Sequence, residues 1–132
     1  MQAVPFRLHP GDDLKLRLDR LAWEQGWRAA CVLTCVGSLS RAGIRFADSS
    51  KISEVRGPLE IISLSGTIAS FGGSHLHISV ADRNGVVIGG HVKEGCIIRT
   101  TAEIVLATLD GYAFHREIDP DTGFPELVVS PA

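Results

Sequence analysis

Cysteine is scarce in this chain: Cys31, Cys35 and Cys96 are the only three among 132 residues, and no two form a Cys-x-x-Cys pair. An odd number at wide spacing signals neither a disulfide framework nor a thiolate zinc site. Each lies in an apolar run and reads as a small buried hydrophobe. Long hydrophobic runs are also missing. No apolar stretch approaches the roughly 18 residues that a bilayer span requires, and the first residues carry no basic segment followed by an apolar one. The expectation is a cytoplasmic protein without a membrane partner. Basic charge is not in excess either, since 13 Lys and Arg face 15 Asp and Glu for a net charge of -2. Overall charge therefore does not draw the chain to nucleic acid or to an anionic membrane. There is no Gly-x-Ser-x-Gly elbow, and Gly89-Gly90 lacks the spacing and strand-to-helix context of a phosphate loop. That pair reads instead as a place where another backbone, or metal-bound side chains, can approach closely.

What is present suffices for a core. With 45% hydrophobic residues, a chain of this length buries about two thirds of its surface, so residues 1–132 are read as one domain. Gln2–Leu8 predicts a first strand, closed by His9-Pro10-Gly11. Asp12 is read as the cap of a helix reaching Gln25, with Gly26 as its stop. Leu14, Leu18, Leu21 and Ala22 form one apolar stripe on it, while Leu16 and Trp23 lie nearly opposite. Two apolar faces call for two packing partners, one of them a neighbouring subunit.

From Ala29 onward, β-branched runs alternate with glycines. Strands are expected at Ala29–Val36, Ala42–Ala47, Leu59–Ala69, Ser74–Ala81, Val86–His91, Cys96–Leu109 and Tyr112–Ile118, with a short edge segment at Pro125–Val129. Turns fall at Asn84-Gly85, Asp110-Gly111 and Asp121-Thr122-Gly123. Strands joined by short turns predict an α+β fold, a predominantly antiparallel β-sheet with one main helix packed on it.

Chemistry concentrates in one hairpin. Ser74–Val80 alternates polar and apolar, so His75, His77 and Ser79 share a strand face, with the two histidine Cα atoms about 6.5–7 Å apart. His91 follows fourteen residues beyond His77. A two-residue loop at Asn84-Gly85 would turn His91 to the apolar face. A three-residue loop, Arg83-Asn84-Gly85 with a G1 bulge, sets His91 opposite His77, Ile88 opposite Val80 and Gly89 opposite Ser79. The second register keeps apolar with apolar and is preferred. Neutral imidazole is the commonest protein ligand for transition metals, and three with an open fourth position suit a catalytic-type zinc site. Glu103, on the polar parity of its strand, is the candidate fourth ligand, outer-shell acceptor or base. The same histidines can instead hydrogen-bond at a polar subunit interface or line a metal-free ligand pocket. His9 and His115 are read as surface residues.

The segments Gly57-Pro-Leu-Glu-Ile-Ile-Ser-Leu-Ser-Gly66, Gly72-Gly73, Asp82-Arg-Asn-Gly-Val-Val-Ile-Gly-Gly90 and Thr100-Thr-Ala-Glu-Ile-Val105 resemble, in order and spacing, the PPC domain. This domain is shared by plants and prokaryotes and follows AT-hooks in plant nuclear proteins. Leu8-His-Pro-Gly-Asp-Asp-Leu14 and Gly37-Ser-Leu-Ser-Arg-Ala42 look like its beginning, so the likeness runs from about Phe6 to Phe114. The resemblance implies a PPC-like α+β fold, a homotrimer, and histidines of the kind that single-domain prokaryotic members carry. Gly57-Pro58-Leu59-Glu60-Ile61-Ile62 stands where the plant domain has Gly-Arg-Phe-Glu-Ile-Leu, and no Arg-Gly-Arg-Pro AT-hook is present. The segment that enters the DNA minor groove in plant relatives is therefore missing. The functional expectation is a trimeric module with a zinc or other divalent-metal site at His75, His77 and His91, room for a small-molecule ligand at the metal, and a binding or regulatory role. The alternatives are a small metal-dependent hydrolase with Glu103 as base, and a DNA-binding protein by family association.

Overall fold

The structure, a computed structural model, describes residues 1–132. Its elements are β1 (Gln2–Leu8), α1 (Leu14–Gln25), β2 (Ala30–Arg45), β3 (Ser53–Ala69), β4 (Gly73–Ala81), β5 (Val87–Val92), β6 (Ile97–Thr108), β7 (Tyr112–Ile118) and β8 (Pro125–Pro131). One helix thus accompanies a mainly antiparallel sheet, the α+β arrangement expected. The main sheet runs β1-β6-β2-β3-β4-β5, and β7 pairs with β8 in a separate two-stranded sheet. The end of β2 also pairs with β5 through Ile44–Val92 and Arg45–His91, so β2, β3, β4 and β5 close into a circuit. No helix is long and apolar enough to cross a membrane.

The helix follows its apolar stripe. Leu14, Leu18 and Ala22 are fully buried and join strand residues such as Leu39, Ile44, Ile98, Ile104 and Leu106 in one core. Leu16 and Trp23 stay exposed on the opposite side. The cap lies one residue later than the sequence suggests: Asp13, extended at φ -87° and ψ 121°, accepts from the Leu16 N–H at 3.1 Å. Its other oxygen accepts from Gly95 N–H at 2.8 Å, tying the helix start to the turn before β6. Asp12 instead accepts from the His9 N–H at 2.8 Å, which shapes the turn out of β1.

Two strand boundaries differ from expectation for a common reason. Ala29–Val36 and Ala42–Ala47, expected as separate strands, form the single long β2, and β3 begins at Ser53 rather than Leu59. Gly37 is not a breaker; a Cβ there would strike the Thr101 carbonyl of β6, so glycine permits close strand approach. Further along, Leu39 pairs with Leu59 but Arg41 with Arg56, leaving one extra residue on β3. That bulge falls at Gly57-Pro58, where proline has no N–H for the ladder.

Candidate metal centre

The β4–β5 turn decides where His91 points. Asp82 N–H donates to Val86 O at 3.0 Å, Gly85 N–H donates to Asp82 O at 2.9 Å, and Gly85 takes φ 79°. The Asp82 carboxylate also accepts from the Asn84 and Val86 N–H groups at 2.9 and 3.0 Å. This is the three-residue loop with glycine in the left-handed position. Its register pairs His77 with His91, Ser79 with Gly89 and Val80 with Ile88, as the apolar pattern demanded. Leu76, Ile78 and Val80 point into the core, and the histidines occupy the other face.

Neighbouring strands extend that row. Ser65 on β3 pairs with His77, and Arg45 on β2 pairs with His91, so Ser65, His77, His91 and Arg45 lie side by side across four strands. Thr67 pairs with His75 in the next row. The Gly89-Gly90 pair has the role assigned to it from sequence. A Cβ on Gly90 would lie 2.7 Å from the Arg45 carbonyl oxygen, and one on Gly89 would lie 2.5 Å from that of Ile78. Glycine there lets β5 close on β2 and carries His91 into place.

One ligating nitrogen from each of His75, His77 and His91 lies within 4.8 Å of the others. The His75 and His91 rings are stacked, with centroids 5.1 Å apart and planes at 8°, while His77 stands edge-on to both at 5.3 and 4.5 Å. Burial holds the His75 and His91 imidazoles below their ordinary pKa, assisted by Arg116 at His75 and by Arg45 at His91. Both factors favour neutral rings, the form that ligates metal. A hollow of about 330 Å³ opens beside His75 and His77, lined also by Ser65, Gly66, Thr67, Arg116, Glu126 and Leu127.

Glu103 is not brought to this group. On β6 it pairs with Arg7 of β1 and Val36 of β2, and it lines a different hollow with Arg99 and Thr101. The order β6-β2-β3-β4 sets two strands between it and His77, which strand parity alone cannot reveal. His9 and His115 also lie elsewhere; His115 pairs with Glu117 at 3.1 Å on the exposed hairpin. Burial pushes the Cys35 and Cys96 thiols up to about 11, in keeping with inert core residues. Arg116 and Glu126, absent from the sequence-derived site, arrive on β7 and β8. Local pattern carries no signal for them, because the 3.4 Å contact from Arg116 to His75 spans 41 residues.

Several known proteins are similar to this chain in sequence or in fold. The chain is 48% identical over 131 residues to the bifunctional protein GlmU of Synechococcus sp. (strain JA-2-3B'a(2-13)), a match covering 99% of this chain and 21% of that protein. It thus spans about a fifth of that relative's length. A hypothetical protein from Salmonella, solved at 1.55 Å, superposes with a TM-score of 0.96 at 35% identity, covering 98% of this chain and 94% of the other. A metal-containing protein from Archaeoglobus fulgidus superposes with a TM-score of 0.80 at 27% identity, covering 97% and 94%. The Plants and Prokaryotes Conserved (PCC) domain matches residues 1–110, taking in every strand of the main sheet and the helix. By that match the chain belongs to the PCC domain family, the PPC domain that its motifs resemble.

Proposed function

We propose that this protein holds one divalent transition-metal ion, zinc in the first instance, on His75, His77 and His91, and that it acts as a trimeric binding or regulatory module. The observation that carries the reading is the convergence of three imidazole nitrogens within 4.8 Å on one sheet face. In a tetrahedral site with Zn–N bonds of about 2.0–2.1 Å, ligand nitrogens stand about 3.4 Å apart. Modest rotation of solvent-facing rings closes that difference, so the donor set fits. The metal-containing description of the Archaeoglobus fulgidus relative agrees with this reading. Three protein ligands leave a coordination position for a small molecule, and a bound zinc ion would supply positive charge and Lewis acidity there.

The trimer is supported by family resemblance and by apolar side chains left on the surface. Val36 is 62% exposed, Ile62 55% and Leu33 54%, in addition to Trp23 on the helix at 64%. The hydrolase alternative is weaker, because Glu103, its intended base, lines a different hollow of the chain. Elemental analysis and cobalt titration test the metal assignment. One equivalent per chain is expected, and stoichiometric metal retained by the triple alanine variant at His75, His77 and His91 would overturn it.

A further inference from the structure

The hairpin of β7 and β8 lies beyond the residues that match the family domain. It nevertheless builds one wall of the histidine hollow, with Arg116, Glu126 and Leu127. The hairpin is anchored where it begins, since Phe114 N–H donates to the Arg28 carbonyl at 2.9 Å. Arg116 Nη2 lies 3.4 Å from both Thr67 Oγ1 and His75 Nδ1.

A neutral imidazole has one N–H and one lone pair, and a guanidinium can only donate. If Arg116 donates to Nδ1, the His75 lone pair is used and Nε2 carries the proton. Metal ligation through Nδ1 displaces Arg116 directly. Ligation through Nε2 moves the proton to Nδ1, which can then no longer accept. The Arg116–His75 hydrogen bond and metal ligation by His75 therefore exclude each other. A metal-ligating His75 leaves the guanidinium with the Thr67 hydroxyl, at the wall of the hollow and without a salt bridge among those the structure contains.

We propose that Arg116 is a ligand-binding residue: it pairs with an oxyanion, carboxylate or phosphate, on a small molecule that occupies the open position of the three-histidine metal site. The inference rests on the metal reading above. Three neutral imidazoles leave the ion's charge of 2+ uncompensated. Arg45 and Lys93 add positive charge beside His91 and His75, against Glu126 as the one carboxylate lining the hollow. At about 330 Å³ with Leu127 as its one hydrophobic lining residue, the hollow suits a compact polar anion rather than a polymer or an apolar ligand. Arginine is the side chain that grips such oxyanions through two parallel N–H donors.

The test loads the full chain with cobalt(II) and follows its visible spectrum while inorganic phosphate or acetate is added, in separate titrations. Saturable spectral change is expected with the wild-type chain, and the stronger of the two responses identifies the preferred oxyanion. Arg116→Gln should bind cobalt at least as tightly as wild type, since no guanidinium then competes for His75, but hold the anion about tenfold or more weakly, the size expected for one lost charge-assisted hydrogen bond. Arg116→Lys should recover part of that loss. Glu126→Gln, which removes the opposing carboxylate, should tighten anion binding, an effect that a merely structural hairpin would not show. Failure of the wild-type chain to bind cobalt would defeat the metal reading itself. Cobalt binding with no anion response, or with equal anion affinity in wild type, Arg116→Gln and Glu126→Gln, would overturn the role of Arg116 and leave the metal site standing.

Discussion

His77 and His91 face each other across β4 and β5, their ring centroids 4.5 Å apart and their planes nearly perpendicular at 87°. Neither ring can be removed without opening one side of the three-nitrogen group. His77→Ala is expected to lower metal affinity by more than the roughly 10–100-fold typical of losing an outer-shell partner, because a direct ligand is lost. Competition with a colorimetric chelator measures this. Affinity within a few-fold of wild type would remove His77 from the ligand set.

Metal affinity should fall as pH drops through the imidazole range, since protons compete for the ligating lone pairs. The folded chain holds His75 and His91 below the ordinary 6.5, chiefly by desolvation. Well above 6.5 these rings are largely neutral in both folded and unfolded chains and contribute little pH dependence. Below it the unfolded chain takes up protons first, so stability of chelator-treated protein declines as pH falls toward the folded values. Urea midpoints at pH 7.5 and 5.5 should therefore differ more for wild type than for a His75→Gln/His91→Gln double variant. An equal difference in both would show that these rings do not set the acid sensitivity.

Gly90 tests the closure of β5 on β2. A Cβ there would meet the Arg45 carbonyl oxygen at 2.7 Å and Ile44 Cγ2 at 2.8 Å, and the backbone oxygen has little freedom to yield. Gly90→Ala should cost about 1–3 kcal/mol of stability, as overpacking does, and should weaken metal binding by displacing His91. Gly111→Ala is the control. It adds strain at φ 82° with no neighbour within 4 Å and should lower stability without changing metal affinity. Identical metal affinity in both variants would separate strand closure from the site.

The histidine group was largely legible in the sequence because its determinants are local. Strand parity aligned His75 with His77, and the apolar pairing of Val80 with Ile88 fixed the turn that brings His91 alongside. Glu103 was misplaced for the complementary reason: parity gives the face of a strand, but not its rank in the sheet. Arg116 was invisible because only the folding of the hairpin onto β3 brings it to Thr67 and His75. At Gly37 a residue that commonly ends strands proved to be the one that lets β2 continue beside Thr101. Glycine's conformational freedom and its lack of a side chain leave the same mark in sequence, and only packing distinguishes them.

A homotrimer predicts a mass of three chains by light scattering at micromolar concentration. Trp23 and Phe71 stand edge-on with centroids 5.7 Å apart and are both largely exposed, giving the helix side an apolar patch. If this patch belongs to the interface, Trp23→Lys should shift the population toward smaller species. A trimer indifferent to that change would move the interface to the sheet residues Leu33, Val36 and Ile62. A monomer at the same concentration would contradict the trimer altogether.

Duplex DNA should bind only weakly at physiological salt, and without sequence preference. Binding of this kind is driven by release of counterions, and a protein making about six to ten phosphate contacts needs a clustered basic face. Lys and Arg number 13 here against 15 Asp and Glu. The helix carries the densest basic group, Lys15, Arg17 and Arg20, yet Lys15 pairs with Asp19 at 2.8 Å and Arg20 with Glu24 at 2.7 Å. Arg17 alone of the three is then left without a carboxylate partner. A trimer would gather three copies of this patch, which raises local charge without undoing the pairing within each copy. Fluorescence anisotropy with a labelled duplex at increasing salt is the direct measurement. Submicromolar, saturable binding at physiological salt would place DNA ahead of the metal-bound small molecule as the partner of this chain.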